Sequence, residues 1–240
     1  MAYRFDASGD MLSRSLGSFS ISTLTFLWRA RIVTDRNDYS CFLSLDNGSD
    51  YFVIETDTDG VTVGHTCNYG GGWQTVGAMT VGTWYDIAVV NSASTGRVLY
   101  LGATGSSTAM SSASTTHSNA TLTLTMYHGN NGFGEWLNGR MAGMKMWTAA
   151  LTASQLEQER LSLPPVFKDN LWGYWPGYNH TDLADMSGNG RTLTAGGTLT
   201  TEDGPPVSSL RCKPKLILPA SAAPPATGYP WHYYQQMGAC

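Results

Sequence analysis

Over residues 1–150, short runs in which apolar and polar residues alternate are broken by glycine, asparagine and aspartate, and no other feature constrains the fold as much. Successive side chains of a strand point to opposite faces, so a period of two marks strands with one face buried, whereas a helix needs a period near 3.6. The alternation predicts strands at 3–5, 23–33, 39–45, 51–55, 61–65, 73–76, 84–91, 98–101, 122–127 and 140–147. Turn chemistry separates them at Asp46-Asn47-Gly48, Asp57-Thr58-Asp59-Gly60 and Asn130-Asn131-Gly132. So many short strands at this spacing require two packed antiparallel sheets. Only 13% of the residues are charged, which suits strands and turns better than solvated helices.

The remainder of the chain departs from that rhythm in three places. Residues 152–161 predict one short helix, with Thr152 as N-cap, Gln155 three residues on and Pro164-Pro165 beyond its end. Residues 102–119, rich in Ser, Thr and Ala, read as a surface connection or an edge hairpin. Residues 171–200 return to strand character before the composition changes. Seven of the ten prolines lie in 205–240, a stretch that cannot build a core and reads as an extended arm, partly polyproline II.

Charge and cysteine usage exclude several functions. A net charge of −4 without any Lys/Arg run offers nothing to a polyanion, so nucleic acid is not an expected partner. No window approaches the roughly 18 apolar residues of a membrane span, and the N-terminal 20 residues alternate rather than form a signal peptide. The expectation is a protein made in the cytoplasm without export. Cys41, Cys67, Cys212 and Cys240 form no CxxC pair, which argues against a zinc or redox motif. A Cys41–Cys67 disulfide would require their strands to be neighbours.

Three motifs carry a family resemblance. Tyr3-Arg4-Phe5-Asp6 followed by Phe26-Leu27-Trp28 is similar to the first two strands of laminin G-like domains. Asn138-Gly139-Arg140 through Trp147, then Ala150-Leu151-Thr152 to Leu156, resembles the same family's late strand and helix start. Leu171-Trp172-Gly173-Tyr174-Trp175-Pro176 with Asp185-Met186-Ser187-Gly188-Asn189-Gly190 is similar to a segment that usually precedes such a domain, and here follows it. The resemblance implies an all-β concanavalin A/laminin G-like jelly roll over 1–204, including a permuted closing segment at 165–204, with an arm at 205–240. A strand moved to the other end of the chain still pairs if the domain's termini lie together.

The fold hosts many activities, so function has to be read from sites. A retaining glycanase needs two carboxylates about 5 Å apart, in this family commonly as Glu-x-Asp-x-x-Glu. The nearest approach is Glu55-Thr56-Asp57-Thr58-Asp59-Gly60, where Gly60 stands in place of the acid/base glutamate and the last four residues suit a turn. No Gly-x-Ser-x-Gly elbow or paired-histidine spacing is present, and the protein is expected to be non-enzymatic. Calcium is the inorganic ligand that the resemblance admits, with Asp46, Asp57 and Asp59 as its candidate oxygen donors alongside their use as turn formers. Asn68, Tyr69 and Trp73, set among Gly70-Gly71-Gly72, suit either a glycan platform or, for Trp73, packing against the sheet.

The arm offers Pro224, Pro225, Tyr229, Pro230, Trp231, Tyr233 and Tyr234 for docking on a neighbouring subunit, since aromatics bury much area for little lost entropy. The leading expectation is a structural or decoration protein of a phage virion, its arm anchoring it to copies of itself or to other virion proteins. The alternative is a carbohydrate-binding module or host-surface adhesin.

Overall fold

The computed structural model describes residues 1–49, 51–67, 73–93, 96–115, 121–131, 134–177 and 183–206. The arm residues Pro224 to Tyr234, together with Asn68 and Tyr69, lie outside the described residues. The chain is all-β with one short helix. In order the elements are β1 (Ala2–Phe5), β2 (Met11–Ser20), β3 (Leu24–Ile32), β4 (Cys41–Asp46), β5 (Tyr51–Thr56), β6 (Thr62–Cys67), β7 (Gln74–Ala78) and β8 (Tyr85–Ser92). There follow β9 (Gly96–Ala103), β10 (Ser111–Thr115), β11 (Thr121–His128), β12 (Gly139–Trp147), α1 (Ala153–Arg160), β13 (Leu171–Trp175), β14 (Thr194–Gly196) and β15 (Thr200–Glu202).

Two antiparallel sheets form the sandwich. One runs β10, β9, β8, β3, β12, β1, β15, with β13 also paired to β12; the other runs β14, β2, β11, β4, β5, β6, β7. Between them lie Phe26 and Trp28 of β3, Phe42 and Leu45 of β4, Phe52 and Ile54 of β5, and Met144 and Met146 of β12, all buried. Each such side chain contributes on the order of 1.5–3 kcal/mol by leaving water. The closing segment completes both sheets, since β13 pairs β12, β14 pairs β2 and β15 pairs β1. Asp185 of the Ser-Gly-Asn-Gly turn secures it by accepting hydrogen bonds from the amides of Tyr174 (2.9 Å), Ser187 (2.9 Å) and Arg191 (3.1 Å). Against the opposing effect of burial, the Ser187 hydroxyl, donating to Oδ2 at 2.8 Å, and those amides hold its carboxyl below the usual aspartate value.

The capping box predicted for the helix is present: the Gln155 amide donates to Thr152 Oγ1 at 3.3 Å and the Thr152 amide to Gln155 Oε1 at 2.9 Å. Buried ion pairs join α1 to the outer face of the first sheet. Lys145 Nζ meets Glu159 Oε2 at 2.7 Å and Arg29 Nε meets Asp86 Oδ1 at 3.1 Å, with Arg160 Nη1 3.6 Å from Asp86. Beside them Leu27, Val90, Trp147, Leu151 and Leu156 make a second apolar cluster.

The structure differs from the sequence reading at several points. β2, ten residues long, is absent from the predicted strands. Its apolar phase changes at Gly17, which has φ of +64° and sits at the bulge where Leu124 opposes Gly17 but Thr125 opposes Ser15. The bulge carries Leu12 and Phe19, seven positions apart, onto the same buried face. Residues 111–115 form an edge hairpin with β9, one of the two readings given for 102–119. Cys41 and Cys67 do not sit on neighbouring strands, because β5 separates β4 from β6, and Cys41 is a buried free thiol. His65 lies within β6 and His128 ends β11, and both are buried.

Candidate functional site

On β5 the alternation sends Phe52 and Ile54 into the core and Tyr51, Val53 and Glu55 to the opposite face of the seven-stranded sheet. Register extends that outer face across neighbouring strands: Cys41 opposes Glu55 on β4, while Gly64 opposes Glu55 and Thr66 opposes Val53 on β6. Over it lies a pocket of about 330 Å³ lined by Gly48, Ser49, Tyr51, Val53, Glu55, Thr66, Asn131 and Glu135. Gly48 and Ser49 come from the β4–β5 hairpin, and Asn131 and Glu135 from the connection between β11 and β12.

That connection is held rigidly. Leu137 N donates to Gly129 O at 2.9 Å, Asn130 Nδ2 to Ser8 O at 2.6 Å, and Arg36 Nη1 to Trp136 O at 2.6 Å. The Arg36 guanidinium also stacks 4.2 Å from the Trp136 ring centre. Asn131 fixes Glu135 from both sides, its Nδ2 donating to Glu135 Oε2 and its Oδ1 accepting from the Glu135 amide at 3.4 Å.

Glu55 is the chemically unusual residue of the site. It is 4% exposed, and its carboxyl is pushed up to about 9, by burial first and then by the charge and hydrogen bonding of Glu135 and the charge of Asp57. Burial likewise raises the Cys41 thiol, with Glu55, Glu135 and Asp46 adding to the shift. The neighbouring charges that act on Glu55 and Cys41 are thus all carboxylic. A buried carboxyl beside other acidic groups ionises only at a penalty, so Glu55 keeps its proton near neutral pH.

Trp73, at the entry to β7, stands beside Glu55. A Cβ placed on Gly64 would lie 2.5 Å from Trp73 Cζ2 and 2.7 Å from Cε2, so the indole occupies the space that the glycine leaves open opposite Glu55. Its Nε1 donates to Thr75 Oγ1 at 3.0 Å, and the side chain remains half-buried. The tryptophan thus packs against the sheet and keeps an accessible side on the same outer face as the carboxyls.

The candidate calcium donors are not brought together. Asp46 Oδ1 accepts from Gly48 N at 2.6 Å, Asp57 Oδ1 from Thr58 N at 2.7 Å, and Asp59 Oδ1 from Thr62 N at 2.7 Å. Among the described residues no three His, Cys, Asp or Glu side chains are grouped to hold a metal. Gly60, with φ of +71°, closes the turn through a 2.8 Å bond from its amide to Asp57 O, and no carboxylate stands there. The second carboxyl group facing Glu55 comes from Glu135, some 80 residues further along, which no motif in the sequence reading connected to it.

The two packed antiparallel sheets define a jelly-roll sandwich of the lectin/glucanase type. Residues 9–157 match the laminin G 3 model of the concanavalin A-like lectin/glucanases superfamily, and the chain belongs to that family. No curated protein matches it by sequence. Among solved structures, a Bacteroides ovatus protein to which carbohydrate binding is ascribed is similar with a TM-score of 0.60 and 16% identity, over 86% of this chain and 61% of that one. The enzymatically active domain of tailspike protein 2 of bacteriophage CBA120 gives 0.54 and 15%, over 72% and 29%. The heptameric SAP-like pentraxin of Limulus polyphemus gives 0.50 and 17%, over 65% and 79%. The chain spans less than two thirds of the Bacteroides protein and of the tailspike chain. At such low identities these likenesses establish the fold alone.

Proposed function

We propose that this protein binds carbohydrate on the outer face of the seven-stranded sheet without hydrolysing it. The observation that carries the reading is the placement of Trp73 over Gly64, one strand from Glu55. An indole with an accessible side next to a cluster of carboxyl, amide and hydroxyl groups supplies what a sugar ring requires, an apolar surface for its C–H face and hydrogen-bonding groups for its hydroxyls. Tyr51, Ser49, Thr66 and Asn131 supply the polar set. Hydrolysis is disfavoured because a retaining mechanism needs two carboxyls about 5 Å apart with the anomeric carbon between them, and the turn at Gly60 offers no carboxylate to complete the set begun by Glu55 and Asp57.

Glycan-array screening followed by calorimetry tests the reading. Binding should be present in the wild type and fall at least about tenfold in Trp73→Ala, the usual effect of truncating an aromatic anchor. A flat array, or a Trp73→Ala variant with wild-type affinity, defeats it. The virion-anchoring role expected of residues 205–240 is a separate proposal about residues outside those described. A chain ending at Pro206 keeps every strand from β1 to β15; it should fold and bind glycan but fail to assemble, and normal assembly would refute anchoring.

A further inference from the structure

Glu55 Oε2 is a buried acceptor that no N–H or O–H of the described chain reaches. Glu135, itself fixed by Asn131, lines the same pocket. The Arg36 guanidinium beside the pair is taken up by the Trp136 ring and carbonyl, and the groups that act on Glu55 and Cys41 are carboxyls. β4 contributes Cys41 and Asp46, Asp57 follows β5, and β6 contributes Gly64 and Thr66. No lysine, arginine or histidine is among the described lining residues of the 330 Å³ pocket. At Glu55 Oε2, then, the described residues supply neither a donor nor a positive charge.

A primary ammonium brings both, with three N–H donors on a single atom. An N-acetylated amine brings one donor and no charge, and a uronic or sialic acid brings a further carboxylate to a pocket already lined by two. We propose that the pocket selects glycans bearing a free amino group, such as deacetylated glucosamine residues, the ammonium seating between Glu55 and Glu135. This rests on the carbohydrate-binding reading above. The exchange balances: the ammonium enters with its charge, the proton held by Glu55 leaves for solvent, and no covalent bond is made beyond that proton transfer. Trp73, across Gly64 from Glu55, then supports the ring that carries the amine.

Calorimetry of the full chain with glucosamine, N-acetylglucosamine and glucuronic acid oligomers of equal length separates the outcomes. The free-amine oligomer should bind about tenfold or more tighter than the acetylated one, the order expected for hydrogen bonds to charged groups, and the glucuronic acid oligomer weakest of the three. At about pH 5.5, where the sugar amines enter already protonated and Glu55 still holds its proton, repeating the titration in buffers of different ionisation enthalpy should show about one proton released with the amine ligand and none with the acetylated one. Glu55→Gln and Glu135→Gln should each bring the amine-to-acetyl affinity ratio close to one, and the second variant serves if the first does not fold. Equal wild-type affinity for amine and acetylated oligomers, or no proton release with the amine, overturns the proposal and leaves carbohydrate binding intact. Failure of every oligomer together with a flat glycan array overturns both.

Discussion

Replacing Glu55 by glutamine removes a proton that the folded chain keeps and the unfolded chain gives up. The native carboxyl is held protonated to about 9 against an ordinary value of 4.5, by burial and the neighbouring Glu135. Between those values the native state carries one more proton than the unfolded state at this site, so stability falls as pH rises, by about 1.4 kcal/mol per unit. From about pH 5 to about pH 7 the wild type should therefore lose about 3 kcal/mol through this site, a large share of the 5–15 kcal/mol typical of a domain. Glutamine cannot titrate, so the variant's stability relative to wild type should improve by the same amount over that interval. Urea unfolding at about pH 5, 6 and 7 measures it, with the m-value unchanged as the check that only stability moved. Contributions from other groups cancel in the difference. If the two stability curves run parallel from pH 5 to 7, the proton is not held by this pair, and the electrostatic account of the pocket fails with it.

Buried His65 and His128 titrate in the opposite sense: burial, with the Arg97 charge added at His65, lowers both to about 4 from 6.5. Stability should fall as pH drops from about 6.5 to about 4, and thermal melts of a His65→Leu/His128→Leu variant should show a flatter acid limb. Lys145→Met leaves the Glu159 carboxylate buried without its 2.7 Å cation; urea unfolding should show a loss of about 3–5 kcal/mol, part of it restored by Lys145→Met/Glu159→Leu. Gly64→Ala drives a methyl against the Trp73 ring and the Gln74 carbonyl, 2.6 Å from the added carbon; calorimetry should show glycan affinity reduced about as far as in Trp73→Ala, with a lower melting temperature as well.

Much of this arrangement was legible in the residues. One-sided strands such as β5 announce themselves by alternation, and Thr152 with Gln155 marks the helix start because the capping box is a purely local device. β2 escaped because its phase is reset by a bulge at Gly17, where the pattern of burial ceases to be strictly alternate. Glu55 was singled out, but for a contiguous carboxylate motif that Gly60 breaks. Glu135 is set by pairing between strands distant in sequence, and the connection that carries it is fixed by Arg36 and Ser8, from two loops far away along the chain. No local period or spacing encodes such a contact. Trp73 was read both as packing and as platform, and Gly64 lets it serve as both.

The pairing of β15 with β1, in register from Ala2 with Glu202 to Arg4 with Thr200, brings the two ends of this sandwich to one edge of one sheet. Gly204 lies so close to Met1 that a Cβ there would sit 2.5 Å from the Met1 carbonyl oxygen. A polypeptide whose entry and exit are adjacent is a portable cassette. It can be inserted into a surface loop of another protein, or have its closing strands moved to the front through a short linker, without disturbing either sheet.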